Sequence, residues 1–215
     1  MPPRTVAGTT NVWCVYRVAL TFDTEHSDRP AESEGTRRVY EVLRDRGVRA
    51  TAFIQGRWAE AYPELARSIA DDGHLIGSHS HFHAEMPLLS SEGRRSDLEL
   101  AQAAVLDATG VDPRPWFRCP FGAGSRDPQV LADIEALGYR EVRWHVDPLD
   151  WQPEATADGV ETLVRDGAAA HGDGVVILMH PWTRGTGASI ANIVDGLRGD
   201  GATFVGVDEL EALPD

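Results

Sequence analysis

The sequence contains no lysine, and this absence narrows the chemistry that is open to the protein. All 20 basic residues are arginine, against 34 aspartate and glutamate residues, so the formal net charge is −14. Without an amine side chain the protein has no group to form a Schiff base or to act as a phosphate-loop lysine. The negative charge also argues against nucleic acids and anionic membrane surfaces as partners.

Cysteine is scarce as well, and long apolar runs are absent. Cys14 and Cys119 are too few and too far apart for a thiolate zinc cluster, so we expect two buried thiols. No apolar run approaches the roughly 20 residues of a membrane span. Residues 1–15 lack an apolar segment followed by a small-residue cleavage site, and a cytoplasmic location is therefore expected.

Short apolar runs alternate with longer amphipathic ones along the chain. The patterns predict strands over 15–22, 49–54, 75–78, 116–119, 141–146, 175–179 and 203–207. They predict helices over 36–46, 63–72, 91–109, 128–137, 155–170 and 189–198. Strands separated by helices indicate a parallel α/β architecture, either an open doubly wound sheet or a barrel. No linker divides the chain, so we expect one domain over 15–215 after a poorly ordered extension, 1–14.

Ionisable residues lie at the ends of five of the seven predicted strands. They are Asp23, Glu25, His79, His81, His83, Arg118, Asp147, Asp150 and His180. Because the carboxyl ends of parallel strands form one functional face, these side chains are expected to converge on a single rim. Four tryptophans near strand ends would suit a groove that stacks sugar rings: Trp116, Trp144, Trp151 and Trp182.

The histidines predict a metal site. His79 and His83 are four residues apart and face one ion if the segment turns helically, whereas an extended segment would use His81 with one of them. A hydrolytic site usually adds a carboxylate. The candidates are Asp23, Glu25, Asp28, Asp147 and Asp150. Such a site also needs a separate base and acid, for which Asp23 and His180 are candidates.

Five short motifs follow one another along the chain. They are Thr21-Phe22-Asp23, His79-Ser80-His81-Phe82-His83, Arg118-Cys119-Pro120-Phe121, Asp147-Pro148-Leu149-Asp150-Trp151 and Leu178-Met179-His180. In this order they resemble the motifs of the polysaccharide deacetylases, carbohydrate esterase family four, also called the NodB-homology domain. The resemblance runs from about Val18 to Leu210 and implies an α/β fold, a distorted (β/α)7 barrel in a single domain.

The resemblance also implies catalytic roles. Asp23 is implied as the catalytic base, and Arg118 as the residue that steadies it. His180 is implied as the general acid, held as an imidazolium by Asp147.

Binding roles follow from the same motifs. The outer histidines, His79 and His83, are implied as ligands of a divalent metal ion, which we expect to be zinc, with cobalt, nickel or manganese as alternatives. Phe121 and Trp151 are implied as walls of the substrate pocket, and a backbone N–H of the third motif as an oxyanion donor.

Two residues depart from the family pattern. Thr24 stands where the family usually has a second aspartate, the third metal ligand, and Glu25 is the expected substitute. Phe121 replaces a tyrosine, which keeps the aromatic ring but removes a hydroxyl.

The sequence thus predicts a metal-dependent hydrolase that removes acetyl groups from N-acetylated amino sugars or related amides. One alternative is a metal-free, allantoinase-like amidase acting on a small ureide or cyclic amide; the missing aspartate favours it, and the two metal-binding histidines oppose it. A second is an inactive carbohydrate-binding relative, against which the retained base and acid argue. The expected partner is a small-molecule or oligosaccharide substrate, and no oligomeric state is predicted.

Overall fold

The framework of the protein is a parallel sheet wrapped by helices. A computed structural model describes residues 16–26 and 28–210 of the 215-residue chain, so the expected extension, 1–14, lies outside the described residues. The strands are β1 (Tyr16–Thr24), β2 (Thr51–Ile54), β3 (Leu75–Ser78), β4 (Trp116–Phe117), β5 (Arg140–Glu141), β6 (Val175–Met179) and β7 (Ala202–Phe204). The helices are α1 (Pro30–Asp45), α2 (Gly56–Ala61), α3 (Pro63–Asp71), α4 (Ser91–Thr109), α5 (Pro128–Ala136), α6 (Ala157–His171) and α7 (Arg184–Gly199).

The sheet curls into a barrel. Its strand order is β5-β4-β3-β2-β1-β6, with every pair parallel, and β7 pairs with the start of β1. The chain beyond β5 closes the ring, because Val146 bridges to Ile177 of β6 and accepts a 2.9 Å hydrogen bond from Leu178 N–H. The predicted α/β barrel in a single domain is confirmed.

Several predicted strands are wrong in their extent. β4 contains only Trp116 and Phe117, and β7 ends at Phe204, whereas the predictions were 116–119 and 203–207. The largest difference is at β5. The pattern predicts an unbroken strand over 141–146, but β5 contains only Arg140 and Glu141. The chain pairs first with β4 and then crosses to β6 at His145 and Val146. A change of partner strand interrupts the ladder, although the apolar pattern continues through it.

Some helix ends agree with the local sequence signals, but α1 begins at Pro30 and α7 at Arg184, well before the predicted starts at 36 and 189. Asp127 caps α5 by accepting hydrogen bonds from the N–H groups of Gln129 and Val130, and α4 ends at Gly110, whose φ is 75°. Helix α2 was not predicted, because its six residues are too few to show a helical period. None of the helices in the described part of the chain is long and apolar enough to cross a bilayer.

The strand β1 lies inside the sheet, and its side chains point alternately into two different buried clusters. Leu20 and Phe22 belong to the large buried cluster shared with the helices, which includes Val39 and Leu43 of α1. Ala19 belongs to the smaller cluster inside the barrel. Because side chains alternate along a strand, the residues after Ala19 on the same face are also directed into the barrel.

Candidate active site

The end of β1 places two carboxylates on one face. Asp23 and Glu25 are both buried, and each has a carboxylate oxygen 3.6 Å from Nε2 of His79. Thr24 points the other way, and its Oγ1 lies 3.1 Å from the hydroxyl of Tyr40 on α1. The departure at position 24 therefore has a geometric explanation, since in this chain Glu25 occupies the next position on the inward face.

Three ligand atoms converge at this end of the barrel. Suitable atoms of Glu25, His79 and His83 all lie within 4.8 Å of one another. The two histidine Nε2 atoms are 3.2 Å apart, and His83 Nε2 contacts Oε2 of Glu25. His79 Nδ1 donates to the backbone oxygen of Arg118 at 3.0 Å, so its Nε2 lone pair faces the cluster. Two imidazoles and a carboxylate form a donor set that fits a zinc-like divalent ion.

The charges in this cluster compensate one another. Burial by itself would raise the pKa of Glu25, but the adjacent imidazoles of His79 and His83 outweigh it and hold that pKa well below its usual value. Burial by itself would lower the pKa of His79, but the carboxylates of Asp23 and Glu25 outweigh it and raise that pKa. These surroundings favour the ionised form of Glu25, which is the form in which a carboxylate binds a metal ion.

A tight loop brings His83 back towards His79. Ser80 and His83 both have left-handed backbones, with φ values of 61° and 57°. Ser80 Oγ accepts a 2.9 Å hydrogen bond from His83 N–H. The buried carboxylate of Asp97 accepts from the N–H groups of His81 and Phe82 at 2.9 and 3.0 Å. The loop is therefore turned rather than extended, as pairing of His79 with His83 requires.

The middle histidine of the motif is directed away from the site. His81 is buried, with Nε2 3.9 Å from Glu60 on α2, and its Nδ1 occupies the space that a side chain at Gly56 would need. Sequence reasoning did not identify Asp97. A signal was available, because Asp97 shares the buried stripe of α4 with Leu98, where a charged residue needs a partner.

Arg118 fixes the orientation of Asp23. The arginine is fully buried, and its Nη1 donates to Asp23 Oδ1 and to Thr21 Oγ1, both at 2.9 Å. Its Nε donates to the backbone oxygen of Val142 at 3.0 Å. The second carboxylate oxygen of Asp23 faces His79. One oxygen is thus anchored by a cation, and the other is directed at the cluster.

His180 is held by a different carboxylate. Its Nδ1 lies 2.8 Å from Oδ1 of Asp150, and its backbone N–H donates to Oδ2 at 2.7 Å. The hydroxyls of Thr186 and Thr183 donate to the same Oδ2 at 2.5 and 3.3 Å. Burial alone would lower the pKa of His180, but its hydrogen bond to Asp150 and the charge of that residue raise the pKa to about 9. The ring is therefore an imidazolium near neutral pH.

The expected pairing of Asp147 with His180 is wrong. Oδ1 of Asp147 accepts instead from the N–H of Leu149 at 2.8 Å, which closes a tight turn. Leu149 has a left-handed φ of 53°, and the turn places Asp150, three residues on, beneath the histidine. Both aspartates were visible in the fourth motif, but the turn decides which of them reaches the ring.

The two aromatic residues assigned to the substrate pocket are exposed. Phe121 is 69% exposed, and its ring centroid lies 4.5 Å from that of His83. Trp151 is 49% exposed and lines a cleft of about 640 Å³ together with Trp182. Trp116, by contrast, is the first residue of β4 and lies at the opposite end of the strand from the site. It does not belong to the expected aromatic rim.

The sequence of the chain is similar to those of proteins named as deacetylases. The family model described as polysaccharide deacetylase matches residues 15–142. The chain is 34% identical over 194 residues to a peptidoglycan-N-acetylglucosamine deacetylase of Listeria monocytogenes, and the match covers 90% of this chain and 38% of that protein. It is 34% identical over 163 residues to a chitooligosaccharide deacetylase of Azorhizobium caulinodans, with 76% and 72% covered. The chain thus spans well under half of the Listeria relative.

Solved structures of the same family superpose on most of the chain. A family 4 carbohydrate esterase from Streptomyces lividans, in complex with acetate, has a TM-score of 0.78 and 32% identity, with 93% of this chain and 98% of that chain covered. A pseudoenzyme of carbohydrate esterase family four from Bacillus anthracis has a TM-score of 0.81 and 27% identity, with 92% and 66% covered. From its sequence and its fold, the chain belongs to the polysaccharide deacetylase family.

Proposed function

We propose that the protein is a metal-dependent deacetylase that hydrolyses the acetamido group of N-acetylated amino sugars. The observation that carries the proposal is the placement of a base and an acid beside the three-ligand cluster. Phe22 of β1 and Met179 of β6 are partners in the parallel ladder. Asp23 follows Phe22 and His180 follows Met179, so the proposed base and acid lie at the ends of neighbouring strands. Each has its own fixing partner, Arg118 for the base and Asp150 for the acid.

The cluster is the proposed metal site. His79, His83 and Glu25 would hold a divalent ion, and zinc is the ion we expect from two imidazoles and one carboxylate. When bound, such an ion polarises a carbonyl group and lowers the pKa of a water molecule.

The remaining residues account for the proton transfers. Asp23 accepts the proton of the attacking water through the oxygen that Arg118 leaves unoccupied. His180 donates the proton on its Nε2 to the departing amine, while its Nδ1–H continues to donate a hydrogen bond to Asp150. The backbone N–H of Phe121 is the proposed oxyanion donor. The exposed rings of Phe121 and Trp151 provide stacking faces for the sugar.

The test is acetate release from oligomers of N-acetylglucosamine, measured together with the metal content of the protein. We expect about one zinc or similar ion per chain. Asp23→Asn should keep the metal and lower turnover by about 100-fold or more, whereas His83→Ala should lose both metal and activity. Unchanged turnover in Asp23→Asn would remove Asp23 from its role. No bound metal after reconstitution, with no acetate release, would contradict the proposal as a whole.

An inactive carbohydrate-binding protein is the second candidate, because the family includes the Bacillus anthracis pseudoenzyme. Oligosaccharide binding without acetate release would favour it. The metal-free amidase has lost its main support, since Glu25 supplies a carboxylate beside both histidines. The expected cytoplasmic location stays a prediction.

A further inference from the structure

We propose that Gln55 is a further residue of the proposed metal site, where its side-chain amide oxygen accepts a hydrogen bond from a water molecule bound to the ion. The inference rests on the proposed function for the presence of the ion. Gln55 lies outside the five sequence motifs. It directly follows β2 and is the N-cap residue of α2.

The backbone places Gln55 in one row with two of the proposed metal ligands. Thr24, Ile54 and Ser78 are in register across β1, β2 and β3. The ladders continue for one more residue on each side. Gln55 N–H donates to the backbone oxygen of Thr24 at 3.0 Å, and His79 N–H donates to that of Ile54, also at 3.0 Å. The next row across the three strands is therefore Glu25, Gln55 and His79.

The side chain of Gln55 faces the inside of the barrel. Phe53 belongs to the cluster inside the barrel, whereas Ile54 belongs to the outer cluster shared with the helices. The backbone of Gln55 is extended, with φ of −69° and ψ of 135°, so alternation directs its side chain to the same side as that of Phe53. On this side a carboxylate oxygen of Glu25 lies 3.6 Å from Nε2 of His79. Gln55 thus lies on the strand between two proposed ligands.

The space beneath Gln55 is filled by the ring of Phe53. A Cβ added at Gly77, its neighbour on β3, would lie 2.7 Å from that ring. The guanidinium carbon of Arg118 lies 4.2 Å from the centroid of the same ring. This packing leaves no room for the amide of Gln55 in the interior below. The amide is therefore kept at the level of the proposed metal ligands.

The amide oxygen of Gln55 is buried without a hydrogen-bond donor from the protein. The residue is only 6% exposed, and no described residue donates a hydrogen bond to its Oε1. A polar side chain at an N-cap often bonds the first turn of its helix, but Gln55 makes no such bond to α2. Because an unpaired buried acceptor lowers stability, this oxygen indicates a donor that is not part of the chain.

A water molecule on a divalent ion is a donor that suits this oxygen. A hydrolytic zinc site with three protein ligands keeps a position for water. Amide oxygens suit harder ions than zinc, so a contact through the water is favoured over direct ligation. The amide is neutral and does not titrate, so it can orient the water without competing with Asp23 for its proton. Such outer partners typically change metal affinity by about 10- to 100-fold.

The experiment measures zinc affinity and metal-free stability in the same variants. Competition with a chelator gives the affinity, and thermal melting of the metal-free protein gives the stability. In Gln55→Leu we expect zinc affinity to fall by about tenfold. The melting temperature without metal should stay equal or rise, because an apolar group replaces an unpaired buried amide. A side chain that only packs would instead lower the melting temperature.

Further variants separate the amide oxygen from the shape of the side chain. Gln55→Glu keeps an oxygen at the same position, so its zinc affinity should at least equal that of the unmodified protein. Gln55→Met, which is unbranched, should repeat the loss seen in Gln55→Leu and replaces that variant if it does not fold. Gln129→Leu makes the same substitution at an exposed position on α5 and should leave zinc affinity unchanged.

The outcomes separate this inference from the proposed function. Unchanged zinc affinity in Gln55→Leu, with metal-dependent acetate release by the unmodified protein, overturns the inference alone. A fall in both zinc affinity and metal-free melting temperature, or failure of both apolar variants to fold, assigns Gln55 a structural role and also overturns it. Lower affinity at undiminished stability supports the inference, even if the unmodified protein releases no acetate, a result that contradicts only the proposed function. If the unmodified protein binds no zinc, neither proposal stands.

Discussion

The candidate site contains two arrangements of histidine and carboxylate. They differ in the group to which Nδ1 of the histidine is hydrogen-bonded. At His180, the carboxylate of Asp150 accepts a 2.8 Å hydrogen bond from Nδ1. In the cluster of Glu25, His79 and His83, Nδ1–H of His79 donates to the backbone oxygen of Arg118. The lone pair on Nε2 of His79 therefore faces Glu25 and His83. Under the proposed function, the same residue types form a proton donor at His180 and a set of metal ligands at the cluster.

The difference between the two histidines arises from the group that is hydrogen-bonded to Nδ1 and not from the residue types. A carboxylate at Nδ1 stabilises the imidazolium, whereas a neutral carbonyl at Nδ1 fixes the tautomer and leaves Nε2 available for a metal. Identifying the atom bonded to Nδ1 is therefore enough to separate the acid from the ligand. Each of the following predictions tests that distinction.

The largest effect is expected at the proton donor. His180→Gln should lower turnover by about 10² to 10⁴-fold, because the departing amine loses its acid. Its metal content should equal that of the unmodified protein, measured by elemental analysis. His171→Gln, an exposed histidine at the end of α6, is the control and should retain activity. Loss of metal in His180→Gln would place this histidine among the ligands and remove the distinction.

The next effect is expected at the third ligand. Glu25→Gln keeps the size of the side chain but removes the charge, so metal affinity should fall by about 100-fold or more, with activity falling in parallel. Competition with a chelator measures the affinity. Thr24→Ser is the control, because position 24 faces Tyr40 and not the cluster. Undiminished metal binding in Glu25→Gln would assign the third ligand elsewhere.

A smaller effect is expected on the pH profile. The pKa of His180 is raised to about 9, so its proton is present below that pH and activity should fall as the pH rises through about 9. Asp150→Asn removes the main cause of the increase and should move this limb to lower pH, with a loss of roughly tenfold or more at about pH 8. Asp147→Asn should move it less. A larger shift in Asp147→Asn than in Asp150→Asn would instead support the pairing of Asp147 with His180 that the sequence predicts.

The last prediction concerns His74, where we expect an effect on stability and none on activity. His74 is buried and accepts a 3.1 Å hydrogen bond from Ala50 N–H, and burial lowers its pKa from 6.5 to about 4. Because the folded pKa lies below the unfolded value, this contribution is complete above about pH 6.5 and is lost as the pH falls towards 4. The loss amounts to at most about 3 kcal/mol.

Urea unfolding at about pH 7 and about pH 5 measures this effect. His74→Asn, which offers a neutral acceptor that does not titrate, should flatten the difference between the two pH values. An equal difference in the variant would show that other groups cause the acid sensitivity.

Much of the barrel was predictable because its signals are local. The limits of β3, α4 and β6 follow directly from apolar periodicity and end signals such as Gly110. The error at β5 has a different origin, since an apolar run does not record which neighbouring strand it pairs with. The six residues of α2 carry too little periodicity to reveal a helix.

The candidate site shows the same division. The residue types and their order predict a histidine cluster with a candidate base and a candidate acid, and alternation along β1 places Asp23 and Glu25 on one face. The choice of His83 over His81 depends on a left-handed loop that Asp97, on a distant helix, holds in place.

The sequence by itself therefore determined the fold class, the family and the residues available for chemistry, because periodicity and motif spacing act over a few residues. The tertiary structure decided which carboxylate serves which histidine. Asp150 was selected over Asp147 by a left-handed turn at Leu149 and by hydroxyls from the start of α7. Hydrogen bonds act over about 3 Å, and only the folded chain brings such distant groups within that range.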